Sequence, residues 1–188
     1  MNGVNLYSVI TDLSADQVEK QIAALDNASE IVNALVKSAV NAFRRGPDRL
    51  FVAERLYRLG SVVVAPLEEL LDKSDNPEVK ILASLVLLQF GSTSGVPCLL
   101  DAIVKDCEYA CMAANRLAEM GITEASDRII ARLRLCDPKQ VDLVVCLLSA
   151  LEKLGSELPS DLRNRFATPD VPWQIRTMLD NAKRRMGK

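Results

Sequence analysis

Histidine is missing altogether from the 188 residues. Without an imidazole there is no Ser-His-Asp or Cys-His catalytic set, no ordinary zinc site with nitrogen ligands and no di-iron cage of histidine and glutamate. Aromatic residues are scarce, at 4% with one tryptophan, and Leu, Ala and Val dominate instead, a bias toward close-packed helices over sheets. An excess of one charge is also lacking. Lys and Arg number 23 against 25 Asp and Glu, a formal net charge of −2, so no global basic surplus marks a nucleic-acid binder. No stretch of roughly 18 uninterrupted apolar residues offers a membrane span. The first residues, Met1 to Tyr7, place no basic group ahead of an apolar run, which argues against a secretory signal. Glycines come singly, never as a phosphate-cradling loop. The expectation is a cytoplasmic protein with no cofactor, no metal and no membrane attachment, for which nucleic acid is an improbable partner.

Five cysteines, Cys98, Cys107, Cys111, Cys136 and Cys146, form an odd set without a Cys-x-x-Cys pair. They read as small core residues of a reduced compartment. Cys107 and Cys111 stand four apart, a spacing that brings two sulfurs together on a helix as a redox or soft-metal pair. Ala110, Met112 and Ala113 beside them make burial the simpler account.

What the chain does contain is a repeat. Four stretches end on one cadence, among them Ala83 to Gly91, Ala113 to Gly121 and Leu147 to Gly155, and the glycines at 60, 91, 121 and 155 step by 31, 30 and 34 residues. Such a period fits one helical hairpin stacking on the next. A helix ending at each glycine needs a left-handed residue in its last turn, which glycine adopts without steric penalty. A second helix follows each, through Val64–Leu71, Val96–Ile103 and Ser126–Leu133, with Leu67, Leu99 and Ile129 in register, as are Leu71, Ile103 and Leu133. Polar breaks at Asp75-Asn76-Pro77-Glu78 and Asp137-Pro138-Lys139 let a proline open the next helix.

Ahead of the repeats, Ser14-Ala15-Asp16-Gln17 has the pattern of a capping box, followed by an apolar stripe at Val18, Ile22 and Leu25. A second helix fits Ser29 to Arg45, buried through Ile31, Leu35, Val36, Ala39, Val40 and Phe43, and Gly46-Pro47 stops it. Proline at the first position and Asp48 restart a helix whose buried side is Val52, Leu56 and Leu59. After Pro159, Leu162 and Phe166 belong to a looser fourth unit, Thr168-Pro169 breaks the chain, and Trp173 to Met186 forms a final helix. The expected organisation is one all-α domain over 1–188, an α-solenoid of stacked antiparallel helix pairs. Its parts are N-terminal capping helices over 1–47, repeats over 48–166 and a C-terminal capping helix over 167–188.

The Ala-x-x-x-Leu-x-x-hydrophobic-Gly cadence with a following Val-Pro-x-Leu-Leu-x-x-Ile helix, clearest from Ala83 to Ile103, resembles HEAT-like repeats of the short kind found in phycobilisome-lyase-type proteins. The resemblance covers about residues 48 to 166. It implies that second helices line an inner, concave wall, so Glu69, Asp72, Asp101, Lys105, Arg128 and Arg132 are the expected partner-binding residues. Two enzyme classes of the wider group do not fit. The lysine hydroxylases need paired His-Glu motifs, and the alkylated-base DNA glycosylases need a basic concave face with an aspartate and aromatic residues. Here Trp173 lies at the far end and the central layers are acidic.

Charge along the chain is uneven. Arg44, Arg45, Arg49, Arg55 and Arg58 outnumber Asp48 and Glu54, whereas from Val62 to Glu108 eight acids face Lys73, Lys80 and Lys105. Fields alternating in this way steer a complementary protein and suppress wrong ones. Adjacent Glu68 and Glu69 diverge by about 100° on a helix and cannot share a proton as a catalytic dyad. Lys183-Arg184-Arg185 complement a helix C-terminus, and Trp173 is expected to cover the end of the core. The functional expectation is a non-enzymatic scaffold, adaptor or inhibitor gripping another protein. A bilin lyase or chromophore-protein chaperone is the alternative, and a DNA-binding repair enzyme the remoter one.

Overall fold

A computed structural model describes the backbone of residues 15–105 and 108–186, with side chains at 19–20, 26, 30–105 and 108–180. All regular structure among the described residues is helical. In chain order the helices are α1 (Ala15–Arg45), α2 (Arg49–Leu56), a 3-10 stretch (Tyr57–Val63), α3 (Val64–Lys73), α4 (Pro77–Gln89), α5 (Val96–Val104), α6 (Ala110–Glu119), α7 (Ala125–Leu135), α8 (Val141–Lys153), α9 (Ser160–Phe166) and α10 (Trp173–Met186).

The glycine cadence is a helix-ending device. Among the described residues φ is positive at Gly60, Gly91, Gly121 and Gly155 and nowhere else. At Gly91 the glycine N–H bonds the carbonyl of Leu88 at 3.0 Å and the next N–H, of Ser92, reaches Leu87 at 3.1 Å. The same double bond recurs at Gly121–Ile122 onto Ala118 and Leu117, and at Gly155–Ser156 onto Glu152 and Leu151. These are Schellman ends, which satisfy the last carbonyls of a helix and turn the chain back.

Packing follows the repeat. Helix α2 packs on α4, α4 on α6, α6 on α8 and α8 on α10, forming one row of first helices; α1 meets α3, and α5 meets α7, in a second row. Leu67, Leu99 and Ile129 are each fully buried between the rows. Helix α4 has neighbours in both rows, and every residue from Ile81 to Leu88 is buried. That accounts for a sequence apolar all round, since no side of this helix faces water broadly. Asn76 caps it, accepting from the Val79 N–H at 3.2 Å with Pro77 in the first position, as expected.

Several expectations are corrected. One unbroken helix, α1, replaces the two read before Gly46, because Asp26-Asn27-Ala28-Ser29 contains neither glycine nor proline to stop it. Ile31 and Leu35, expected in the core, are 70% and 54% exposed, while Val36 and Phe43 are buried. Ser14, the proposed cap, lies outside the described residues. Pro47 precedes rather than opens α2, which starts at Arg49 with Asp48 in the cap position but making no side-chain cap. The helix also ends sooner than read, and Leu59 sits half-buried in the 3-10 stretch. Pro138 does not open α8 either. It sits inside a turn closed by the Gln140 N–H on the Asp137 carbonyl at 2.9 Å, and the helix begins at Val141. Trp173 opens α10 where expected but is 66% exposed, so it does not cover the core.

Candidate functional site

A groove of about 470 Å³ crosses α2, the 3-10 stretch, α4 and α6 on the row of first helices. Its floor is Leu82, Leu85 and Val86 of α4, and its edges carry Leu50, Tyr57 and Met112, three apolar side chains left exposed. Arg55, Arg58 and Arg116 rim it against a single carboxylate, Glu54. The Arg55 guanidinium lies 4.7 Å from the centre of the Phe51 ring, a cation–π contact, while Arg116 pairs with Glu119 at 3.2 Å. Apolar floor, half-exposed hydrophobic edges and planar, weakly hydrated cations together make a surface suited to another polypeptide.

The expected partner-binding residues lie elsewhere, on the second helices α3, α5 and α7 and, for Lys105, at the end of α5. Glu69 is exposed and bonded to Lys73 at 2.6 Å, and that ammonium holds its carboxyl below the ordinary range. It borders a recess of about 210 Å³ shared with Lys37 and Arg44 of α1. Asp101 and Lys105 are exposed and pair at 3.5 Å. Asp72 and Arg128 are exposed, but Arg132 is only 8% exposed, buried like its neighbour Leu133. Two of the three acids therefore spend their charge on a lysine one helical turn away.

At one end of the groove row, Glu78 joins three first helices. It accepts from Tyr109 Oη at 2.9 Å and from Arg49 Nη1 at 2.5 Å. Burial, with the carboxylates of Glu108 and Glu78 close by, pushes the Tyr109 phenol well above its usual range, so it stays protonated and donates. This ties α2, α4 and the start of α6 together rather than presenting a reactive group.

The cysteines divide by environment. Cys136 is buried, and burial raises the Cys98 thiol. Cys107 lies outside the described residues, so the pairing read for Cys107 with Cys111 does too. Cys111 is instead next to Cys146 of α8, whose Sγ stands 3.6 Å from the Cys111 carbonyl oxygen and accepts from Asn115 Nδ2 at 3.3 Å. Sequence reading missed this pair, yet the register carries a signal: Cys111 stands ten residues before Gly121 and Cys146 nine before Gly155. The groove has one as well, since Arg55 and Arg116 each stand five residues before their glycine.

Among the described residues no group of three or more metal-ligating side chains is placed to hold an ion, and no helix is long and apolar enough to cross a membrane. No family model, curated protein or solved structure matches the chain.

Proposed function

We propose that the chain is a HEAT-like α-solenoid acting as a non-enzymatic binding module, and that it takes an acidic amphipathic helix of a partner protein in the groove of its first helices. Support for the stack comes from the alternating contacts of the two rows and from hairpins closed by the same glycine device. The observation that carries the binding reading is the groove itself: exposed apolar edges at Leu50, Tyr57 and Met112 over a buried apolar floor, rimmed by three arginines and one glutamate. This moves the partner surface from the second helices to the first. The second-helix acids and lysines are largely paired within their own helix, and exposed pairs of that kind add little to binding.

A helix is the fitting occupant because neighbouring helices pack about 8–10 Å apart, so a ligand crossing three of them needs some 20 Å or more, about 14 residues at 1.5 Å each. Its apolar side would cover Leu50, Tyr57 and Met112, and acidic flanks would meet Arg55 and Arg58. The probe is a designed helical peptide of about 18 residues with a Leu/Ile stripe flanked by Asp and Glu. Wild-type protein should bind it with affinity that falls as salt rises. The Arg55→Glu/Arg58→Glu variant should lose about tenfold or more, roughly 1.4 kcal/mol, with helicity unchanged. Met112→Glu, at an exposed edge, should weaken binding likewise. Equal affinity in all three proteins, or a stronger response to Arg128→Glu, would remove the groove as the partner surface.

A further inference from the structure

We propose that Cys111 and Cys146 form a redox-modification site, a dithiol that closes to a disulfide between α6 and α8 by exchange with a low-molecular-weight disulfide. The helices that carry them are direct neighbours in the row of first helices. The Cys146 thiol reaches the Cys111 carbonyl at 3.6 Å, and the Asn115 amide holds its sulfur from the other side at 3.3 Å. Both residues are half-buried, so a small reagent reaches them, in contrast to the fully buried Cys136.

The surroundings assign unequal roles. The neighbouring Cys146 side chain lowers Cys111 to about 7, opposed by burial and by the Asp142 carboxylate. Cys146, beside Cys111 and partly desolvated, is raised, with Asn115 and Lys153 acting the other way. With its S–H turned onto the Cys111 carbonyl, Cys146 is the protonated, resolving thiol and Cys111 the attacking thiolate, the pairing of a reactive cysteine with a nearby partner that reversible thiol chemistry requires. The Cys111 thiolate attacks one sulfur of the small disulfide, giving a mixed disulfide and one small thiolate. Cys146 then loses its proton to water and attacks the Cys111 sulfur, closing the protein disulfide and releasing the second small thiolate. The two cysteines are oxidised by two electrons in all, and the small disulfide is reduced by two. The bond would fasten α6, which supplies Met112 and Arg116 to the groove, onto α8.

The test uses the full chain and oxidised glutathione, read by peptide mapping without reduction. Wild type should give a monomer, lighter by two hydrogens, with Cys111 joined to Cys146. Cys146→Ser should instead hold a glutathione mixed disulfide at Cys111, and Cys111→Ser should react at Cys146 about tenfold more slowly at neutral pH. Alkylation of Cys111 should show a midpoint near pH 7 in wild type and move up toward the ordinary thiol range in Cys146→Ser. A link from Cys111 to Cys107, reaction of Cys111 no faster than Cys98, or an alkylation midpoint unmoved by Cys146→Ser would each overturn the assignment.

Discussion

At the scale of single residues, two kinds of glycine do different work. Gly121 needs its backbone angle: φ is +69° and a Cβ there would touch nothing within 4 Å. Gly95 needs its lack of a side chain, because a Cβ would come within 2.4 Å of Ser84 Cβ and 2.6 Å of its Cα. There α5 starts against the middle of α4, and Ser84 is buried with its hydroxyl turned back onto the Lys80 carbonyl at 2.7 Å. Gly95→Ala should therefore cost about 1–3 kcal/mol through overpacking. Gly121→Ala should cost about 1–2 kcal/mol through the strained left-handed angle alone. Urea unfolding of both variants checks this, and a neutral Gly95→Ala would show that α4 and α5 are not so closely joined. The turn glycines were legible because a left-handed helix end leaves a periodic mark in the sequence. Gly95 was not, since close approach between helices depends on which serine stands opposite, and nothing local records that.

At the scale of elements, α1 departs furthest from its reading. Its spacing of apolar residues is as regular as that of a core helix, yet each side chain described between Glu19 and Leu35 is exposed, and burial starts at Val36. Periodicity reports which residues share a face. Whether another element covers that face depends on how far the neighbours extend, and α1 has 31 residues where α2 has 8. Replacing Ile31 and Leu35 together by serine should leave stability within about 0.5 kcal/mol of wild type. Phe43→Ala, at a fully buried position, should cost about 3–5 kcal/mol. Thermal unfolding separates the cases, and a large loss from the serine pair would mean that the exposed half of α1 is held by contacts within the fold. Later in the chain, α9 secures α7 in a way that spacing alone did not reveal. Arg165 donates to the carbonyls of Leu133, Arg134 and Cys136 at 3.2, 2.8 and 2.6 Å, occupying the free acceptors at the end of α7.

For the whole molecule, the all-helical class and the succession of hairpins could be read from the chain because each repeat marks its own ends and its own buried positions. Leu99 and Ile129 fall where register placed them. The surface proposed for a partner is less legible. Of the charges expected on the inner wall, Glu69 and Asp101 are paired with lysines four residues on, and Arg132 is buried. The arginine-rich stretch from 44 to 58 was visible as composition. Only packing of α2 beside α4, and of α4 beside α6, lays Arg55 and Arg58 along an apolar floor with Arg116. Long-range assembly of this kind, between residues up to about 60 positions apart, leaves only the faint register signal of equal offsets from the glycines.

The most direct measurement is a backbone amide NMR titration of the isotope-labelled protein with the acidic amphipathic peptide. Binding in the groove predicts shift changes gathered at residues 50–58, 82–89 and 112–116, with the amides of Glu69, Asp101 and Arg128 unmoved. Changes centred on those second-helix residues, or none at any peptide concentration that saturates the designed helix, would contradict the account.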